Sequence, residues 1–259
     1  MDLKRAEANL ETNIKLIFDL GMHKGLDARN YLAKGFDVVG LEAVPALCGR
    51  VRDENADMIA SGRLHVVQRA LYKKTGERVR FYVNPDHDDW GSLDRGAAEK
   101  GVGSSRPIDV ETITFGDLLE AYGSPYYIKC DLEGGDAIFA VQLLRSPVRP
   151  DFVSIEATSA DDLAMIRACG YTRFQIINQW TNPFTVCPNP SREGLYVDLR
   201  FTHGMSGLFG RDLDPAKWID FTALMSRFLD WYELHKRDTD LAIGWLDVHA
   251  TTAETLRKP

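Results

Sequence analysis

FDLGMHKGLDARNYLAKGFDVVGLEAVP, residues 18–45, decides the fold of this chain. It reads as strand, glycine turn, helix and a second strand that ends on an acid. Ile14 to Leu20 is a short apolar run suited to a buried parallel strand, and Gly21 to Gly25 is a turn whose two glycines let backbone approach a ligand closely. Phe36 to Leu41 is the next strand. Glu42 follows it, where a carboxylate can accept hydrogen bonds from two ribose hydroxyls. The wiring is that of a nucleotide-type cofactor site, with Asp19, Gly21, Gly25 and Glu42 as its candidate binding residues.

The turn separates two classes of cofactor. A dinucleotide fingerprint wants glycine at relative positions one, three and six, so that a pyrophosphate can rest on the helix N-terminus. Those positions are Gly21, His23 and Leu26. An imidazole where the pyrophosphate must enter, and a leucine where the helix must pack closely, both argue against NAD. A GxxxG turn opened by Asp19 instead resembles motif I of class I S-adenosylmethionine (SAM) methyltransferases. Such a site needs room for an amino-acid tail and no phosphate cradle.

The 259 residues are enough for one large α/β domain with a buried core. A formal net charge of −7 disfavours nucleic acid as a partner, since that binding rests on clustered Lys and Arg releasing counterions. Cys48, Cys130, Cys169 and Cys187 are widely spaced, with no pattern of a zinc knuckle or a disulfide framework. The opening MDLKRAEANLETN has no long apolar stretch, so neither a secretory signal nor a membrane span is expected, and a cytoplasmic location follows by default.

Further along, Val44 to Ser61 reads as a helix, Arg63 to Leu71 as a third strand and Val79 to Val83 as an added hairpin strand. Residues 84–106 are rich in Gly, Asp and Ser and read as a long mobile loop, a length uncommon without a function. Asp109 to Ile113 is a strand, and Thr114 to Tyr122 a helix with Thr114 as N-cap and Asp117 in its first turn. Tyr126 to Leu132 and Asp151 to Ala157 are buried strands, with helices from Asp136 to Leu144 and from Ala160 to Cys169. Phe174 to Gln179 is the sixth strand. Gly194 to Phe201 alternates like a strand, Pro215 to Leu234 looks helical, and Gly244 to Ala250 suits an antiparallel seventh strand. This alternation predicts a mostly parallel sheet covered on both faces, in a single domain of residues 1–259 with an insertion over roughly 180–240. Ligands collect at the C-terminal strand ends of such sheets, where Asp19, Glu42, Asp131, Glu133 and Glu156 fall.

Taken together, these blocks resemble the FkbM family of SAM-dependent methyltransferases. FDLGMHKGLDARNYLAKGF is similar to the family's motif I and following helix, VVGLEAVP to its second strand and acid, and YYIKCDLEGGD to its K-x-D-x-E-G signature. FVSIEAT is similar to its fifth strand, and WGSLD, SGLFGRDL and WLDVHA to blocks of a bacterial subgroup. His23-Lys24 stands where a small Ala-Asn pair is common, and Gly135 where Ala is frequent. The resemblance implies a Rossmann-like class I methyltransferase fold with a seven-stranded sheet, SAM as cofactor, and O-methyl transfer to a hydroxyl of a sugar, glycan or glycosylated natural product.

Transfer to a hydroxyl needs near-attack positioning and a group to take the proton. Asp131 and Glu133 lie two apart, so on a continuing strand they would share a face, and mutual repulsion would push one pKa up as a base requires. Asp131 is the candidate base or methyl-proximal acid at the cofactor, and Glu133 its partner. The plain alternative is that both cap the following helix while Lys129 pairs with one. A divalent ion on Asp131, Glu133 and Glu156 is chemically possible and not demanded. His23 could reach a substrate proton, or be an ordinary loop residue. Ala70 and Leu71, at the third strand's end, would edge the adenine. Trp90, Ser92, Glu156 and Ser206 are candidates for acceptor recognition, the alternative for the loop residues being surface packing. Asp86-His87-Asp88-Asp89 has the spacing of metal ligands, but reads better as a solvated acidic turn. Two other functions fit less well: an NAD(P)- or nucleotide-sugar-binding oxidoreductase, and a noncatalytic SAM-fold binding protein.

Overall fold

The computed structural model describes residues 12–101 and 103–257, so most of the opening MDLKRAEANLETN lies outside the described residues. The chain divides into two compact units, residues 1–150 and 151–259. In the first, β1 (Thr12–Leu20) leads through the glycine turn into α1 (Leu26–Ala33) and β2 (Asp37–Glu42). Next come α2 (Pro45–Glu54), α3 (Ala56–Ala60), β3 (Leu64–Gln68) and β4 (Ala70–Leu71). The unit continues with β5 (Arg78–Val83), α4 (Arg95–Glu99), β6 (Arg106–Ile113), α5 (Phe115–Tyr122), β7 (Ser124–Cys130) and α6 (Asp136–Arg145).

The second unit holds β8 (Phe152–Glu156), α7 (Ala160–Ala168), β9 (Arg173–Asn178), α8 (Phe221–Arg237) and β10 (Leu246–Thr251). The large sheet has seven strands in the order β3-β2-β1-β7-β8-β10-β9, with β10 antiparallel to both β8 and β9. The expected α/β class and antiparallel last strand are what the structure shows. No helix among the described residues is long and apolar enough to cross a membrane.

Burial follows the apolar runs. Leu16 to Leu20 is buried while the start of β1 is exposed, and every residue of β7 is buried. Parallel pairing of β1 with β2 and β7 sets Asp19 between Gly40 and Lys129. A second sheet, β4-β6-β5, packs on the chain beyond β2 through a cluster of Ala43, Ala70, Phe81, Val83 and Val110.

Several expected boundaries shift. The helix expected over 44–61 breaks at Asn55, whose side chain donates to the Val51 carbonyl at 2.9 Å and so competes with the helical backbone. The strand expected over 63–71 breaks at Arg69, because Ala70 and Leu71 leave β3 to pair with Thr112 and Ile113. Residues 84–105 are no open loop. Ser92 bridges back to Tyr82, α4 forms behind an Asp94 cap, and Asn84 is fully buried with its amide on the Ala98 carbonyl at 3.0 Å. We call this segment the strap.

In the second unit, Gly194 to Phe201 forms no strand. The chain around it is tied instead by carboxylates to backbone: Asp212 accepts from the Arg192 and Glu193 amides at 2.8 and 3.1 Å, and Glu193 accepts from the Arg211 amide at 2.7 Å. The helix expected from Pro215 is only a 3₁₀ turn there, and α8 starts later, capped by Asp220 on the Ala223 amide.

Candidate active site

The first unit gathers the glycine turn, Glu42 and the KCDLEGG segment at the C-terminal ends of β1, β2 and β7. The chain leaves β1 through Gly21 at φ 84°, and an ideal Cβ there would overlap the Asp131 carbonyl oxygen. The Gly21 and Met22 amides both donate to the Leu41 carbonyl, at 3.0 and 2.9 Å, folding the turn back onto β2. Gly25, at φ 69°, is the N-cap of α1, and a Cβ there would stand 3.2 Å from Val51. Both glycines therefore serve close approach of the chain to itself.

Glu42 ends β2 and is buried. Its Oε2 accepts the His23 amide at 2.9 Å and its Oε1 the Val44 amide at 2.8 Å. Burial raises its pKa, against the pull of these amides. The Ala43 amide bonds the carboxylate as well, so three of its four acceptor positions are served by backbone.

Lys129 is the residue that sequence reasoning undervalued. It projects from a fully buried strand, and its ammonium donates to the Gly21 carbonyl at 3.0 Å. Around it stand Asp131 at 3.4 Å, Asp19 at 3.5 Å and Asp27 of α1 at 3.9 Å. Asp19 is completely buried; burial pushes its carboxyl well up and Lys129 draws it back. One ammonium among three carboxylates ties β1, α1 and β7 together and leaves a net negative wall. The signal was present, since a lysine in the apolar run YYIKC needs a buried counter-charge.

Asp131 and Glu133 do not lie on a continuing strand. β7 ends at Cys130, and Glu133 at φ 46° and Gly134 at φ 89° turn the chain. The turn still brings a carboxylate oxygen from each within 4.8 Å. Burial first, then the Asp131 charge, lift Glu133 to about 7, while Lys100 of the strap pulls it down from 2.9 Å. Asp131 faces the Lys129 ammonium at 3.4 Å.

The strap grips both loops. Asp88 meets His23 and Lys24, and the Ser92 hydroxyl donates to the Glu133 carbonyl at 2.6 Å. Ser92, expected to line the acceptor, is buried and serves as this internal fastener. Trp90 stacks on His87 at 3.8 Å and carries the Lys100 ammonium 4.9 Å from its ring centre. Ala70 and Leu71 are also buried, Ala70 inside the apolar cluster, because β4 has turned away to β6. In the second unit, Glu156 ends β8 half-buried and Ser206 is buried.

Asp136, the first residue of α6, holds the KCDLEGG turn from below. Its carboxylate accepts the Cys130 thiol at 3.3 Å and the Leu132 amide at 3.4 Å. Burial, then the Asp131 charge, raise it from 3.8 to about 6. The folded state therefore holds a proton that the unfolded chain has lost between those values. Its contribution is fully favourable below the unfolded pKa, and up to about 3 kcal/mol is lost as pH climbs through the folded one. Relative to wild type, Asp136→Asn should gain stability by that order between about pH 4 and 7 in urea unfolding. A pH-independent gap would show that the buried carboxyl does not titrate in this way.

No curated protein matches the chain. It is similar to a solved precorrin-6Y C5,15-methyltransferase from Geobacter metallireducens GS-15, at 10% identity over 96% of this chain and 87% of that one, with a TM-score of 0.41. StiE O-MT residues 961–1257 gives 9% identity, 98% and 77% coverage and a TM-score of 0.42. A sarcosine dimethylglycine methyltransferase-like structure from Galdieria sulphuraria gives 11% identity, 96% and 81% coverage and a TM-score of 0.39. The family model described as Methyltransferase FkbM domain matches residues 19–173, which is more than half of the chain and includes the glycine turn, Glu42 and KCDLEGG. The chain belongs to the FkbM methyltransferase family.

Proposed function

We propose that this methyltransferase is SAM-dependent and transfers a methyl group to a hydroxyl of a sugar, glycan or glycosylated natural product. When bound, SAM supplies a methyl on a positively charged sulfur. Glu42 would hold its ribose, through the acceptor capacity that the His23, Val44 and Ala43 amides leave. The Asp19, Asp27 and Asp131 carboxylates outnumber the Lys129 ammonium beside the turn, and that excess suits a cationic centre.

The observation that carries the hydroxyl acceptor is Glu133, raised to about 7 and half-buried beside Asp131. SAM would supply the methyl group, and Glu133 would accept the proton that the acceptor hydroxyl gives up. Asp131, paired with Lys129, keeps the turn in place. The sugar class rests on family resemblance.

Calorimetric titration with S-adenosylhomocysteine and with NAD tests the cofactor: S-adenosylhomocysteine should bind and NAD should not. NAD binding alone would return the chain to the oxidoreductase reading. With labelled SAM and a glycoside panel, Glu133→Gln should lower turnover by about a hundredfold or more, leaving S-adenosylhomocysteine affinity near wild type. An active Glu133→Gln would remove Glu133 as the base.

A further inference from the structure

The two side chains that distinguish this glycine turn converge on one carboxylate. His23 Nε2 lies 3.0 Å from Asp88 Oδ1, and Lys24 Nζ lies 2.9 Å from Oδ1 and 2.8 Å from Oδ2. Adjacent residues of the turn thus grip both oxygens of an acid 64 positions beyond Lys24. His23 has a left-handed backbone, φ 51°, a conformation few non-glycine residues adopt without cause. Its amide is bound to Glu42 while its ring meets Asp88, so the candidate ribose acid and this grip share one residue.

Asp88 is a replaceable occupant. Partial burial opposes its ionisation, but hydrogen bonds from Lys24 and His23 outweigh that and hold its carboxyl below the usual range. The side chains remain 26%, 31% and 48% exposed for His23, Lys24 and Asp88, and ion pairs so open to water contribute little. The strap does not depend on them. Its fastenings are the Ser92 hydroxyl on the Glu133 carbonyl, the buried Asn84 amide on the Ala98 carbonyl, and the Asp86 and His87 amides on the Asn84 side chain. None of these bonds involves the Asp88 side chain. The same turn runs into α1, whose N-terminus has no side-chain cap and so carries a positive partial charge.

We propose that His23 and Lys24 form a carboxylate receptor, occupied at rest by Asp88 and taken over by the carboxylate of a bound ligand. Two ligands offer that group: the amino-acid tail of the cofactor and an acidic sugar acceptor. The choice of these ligands rests on the proposed function. The exchange is one of like for like, a tethered carboxylate giving way to one that arrives with the ligand.

Calorimetry on wild type, Lys24→Gln and Asp88→Asn tests the receptor with two ligand pairs. S-adenosylhomocysteine is compared with 5′-deoxy-5′-methylthioadenosine, which lacks the tail, and galacturonate with methyl galactoside, which lacks the acid. For the ligand that uses the receptor, Lys24→Gln should weaken binding about tenfold and Asp88→Asn should tighten it severalfold, by removing the competitor. Its carboxylate-free counterpart should respond to neither. A response confined to S-adenosylhomocysteine assigns the receptor to the cofactor tail, and one confined to galacturonate assigns it to the acceptor. If S-adenosylhomocysteine fails to bind wild type but galacturonate responds, the cofactor reading falls and the receptor stands. If S-adenosylhomocysteine binds and no carboxylate ligand responds to either substitution, the receptor is overturned while the cofactor reading stands. Equal changes within a pair, or no carboxylate binding at all, also overturn it.

Discussion

Gly21→Ala should cost the fold at least about 3 kcal/mol and weaken S-adenosylhomocysteine binding by about a hundredfold. Two separate penalties meet at this position. The backbone sits at φ 84°, where an L residue costs about 1–2 kcal/mol. The added Cβ must also occupy space held by the Asp131 carbonyl oxygen, which is backbone and cannot swing aside. Relief requires the end of β7 to move away from β1. That movement would lengthen the Asp131 amide bond to the Leu20 carbonyl and draw Lys129 off the Gly21 carbonyl. Gly62 supplies the control, having φ 75° with nothing within 4 Å of its would-be Cβ. Gly62→Ala pays only the conformational part, about 1 kcal/mol. Urea unfolding of the two variants separates the terms. Equal losses would mean that contact between the turn and β7 contributes nothing at Gly21.

The parts of this fold that were legible in the sequence are those fixed by neighbours along the chain. The run ahead of Gly21 buries itself as a strand, and Thr114 caps its helix by accepting the Asp117 amide, as the residue types require. What was illegible depends on partners far along the chain. Nothing in RLHVVQRAL says that its last two residues desert β3, because the reason is the edge of β6. The strap's Gly, Asp and Ser content reads as mobility, yet those residue types also make the short-range caps and turns that fasten it. The site shows the same division. That Glu42, Asp131 and Glu133 fall at strand ends was legible, while the ion pairs of Asp27, Asp88 and Lys100 were not, because their partners are brought to them only by folding.

Lys129→Met should destabilise the protein by about 3 kcal/mol or more at mildly alkaline pH, since it leaves buried carboxylates without their counter-charge. Methionine matches the lysine stem in length and apolar character, so the strand can keep its packing and the loss reports on charge. Asp19 is wholly enclosed and Asp27 nearly so, which denies both the water that would otherwise solvate them. Burial already drives the Asp19 carboxyl upward, and Lys129 is the main force drawing it back. With the ammonium present the folded chain already holds the Asp19 proton up to about pH 7, where the unfolded chain has lost it, and removing the ammonium drives that value higher. The added penalty therefore applies above about pH 7, so the gap to wild type should narrow as pH falls through that value. The second substitution should be partly restorative: Lys129→Met with Asp19→Asn should be more stable than Lys129→Met alone. A loss that neither narrows in acid nor recovers in the double variant would mean that Lys129 acts through packing or its bond to the Gly21 carbonyl, and the carboxylates around it would need another explanation.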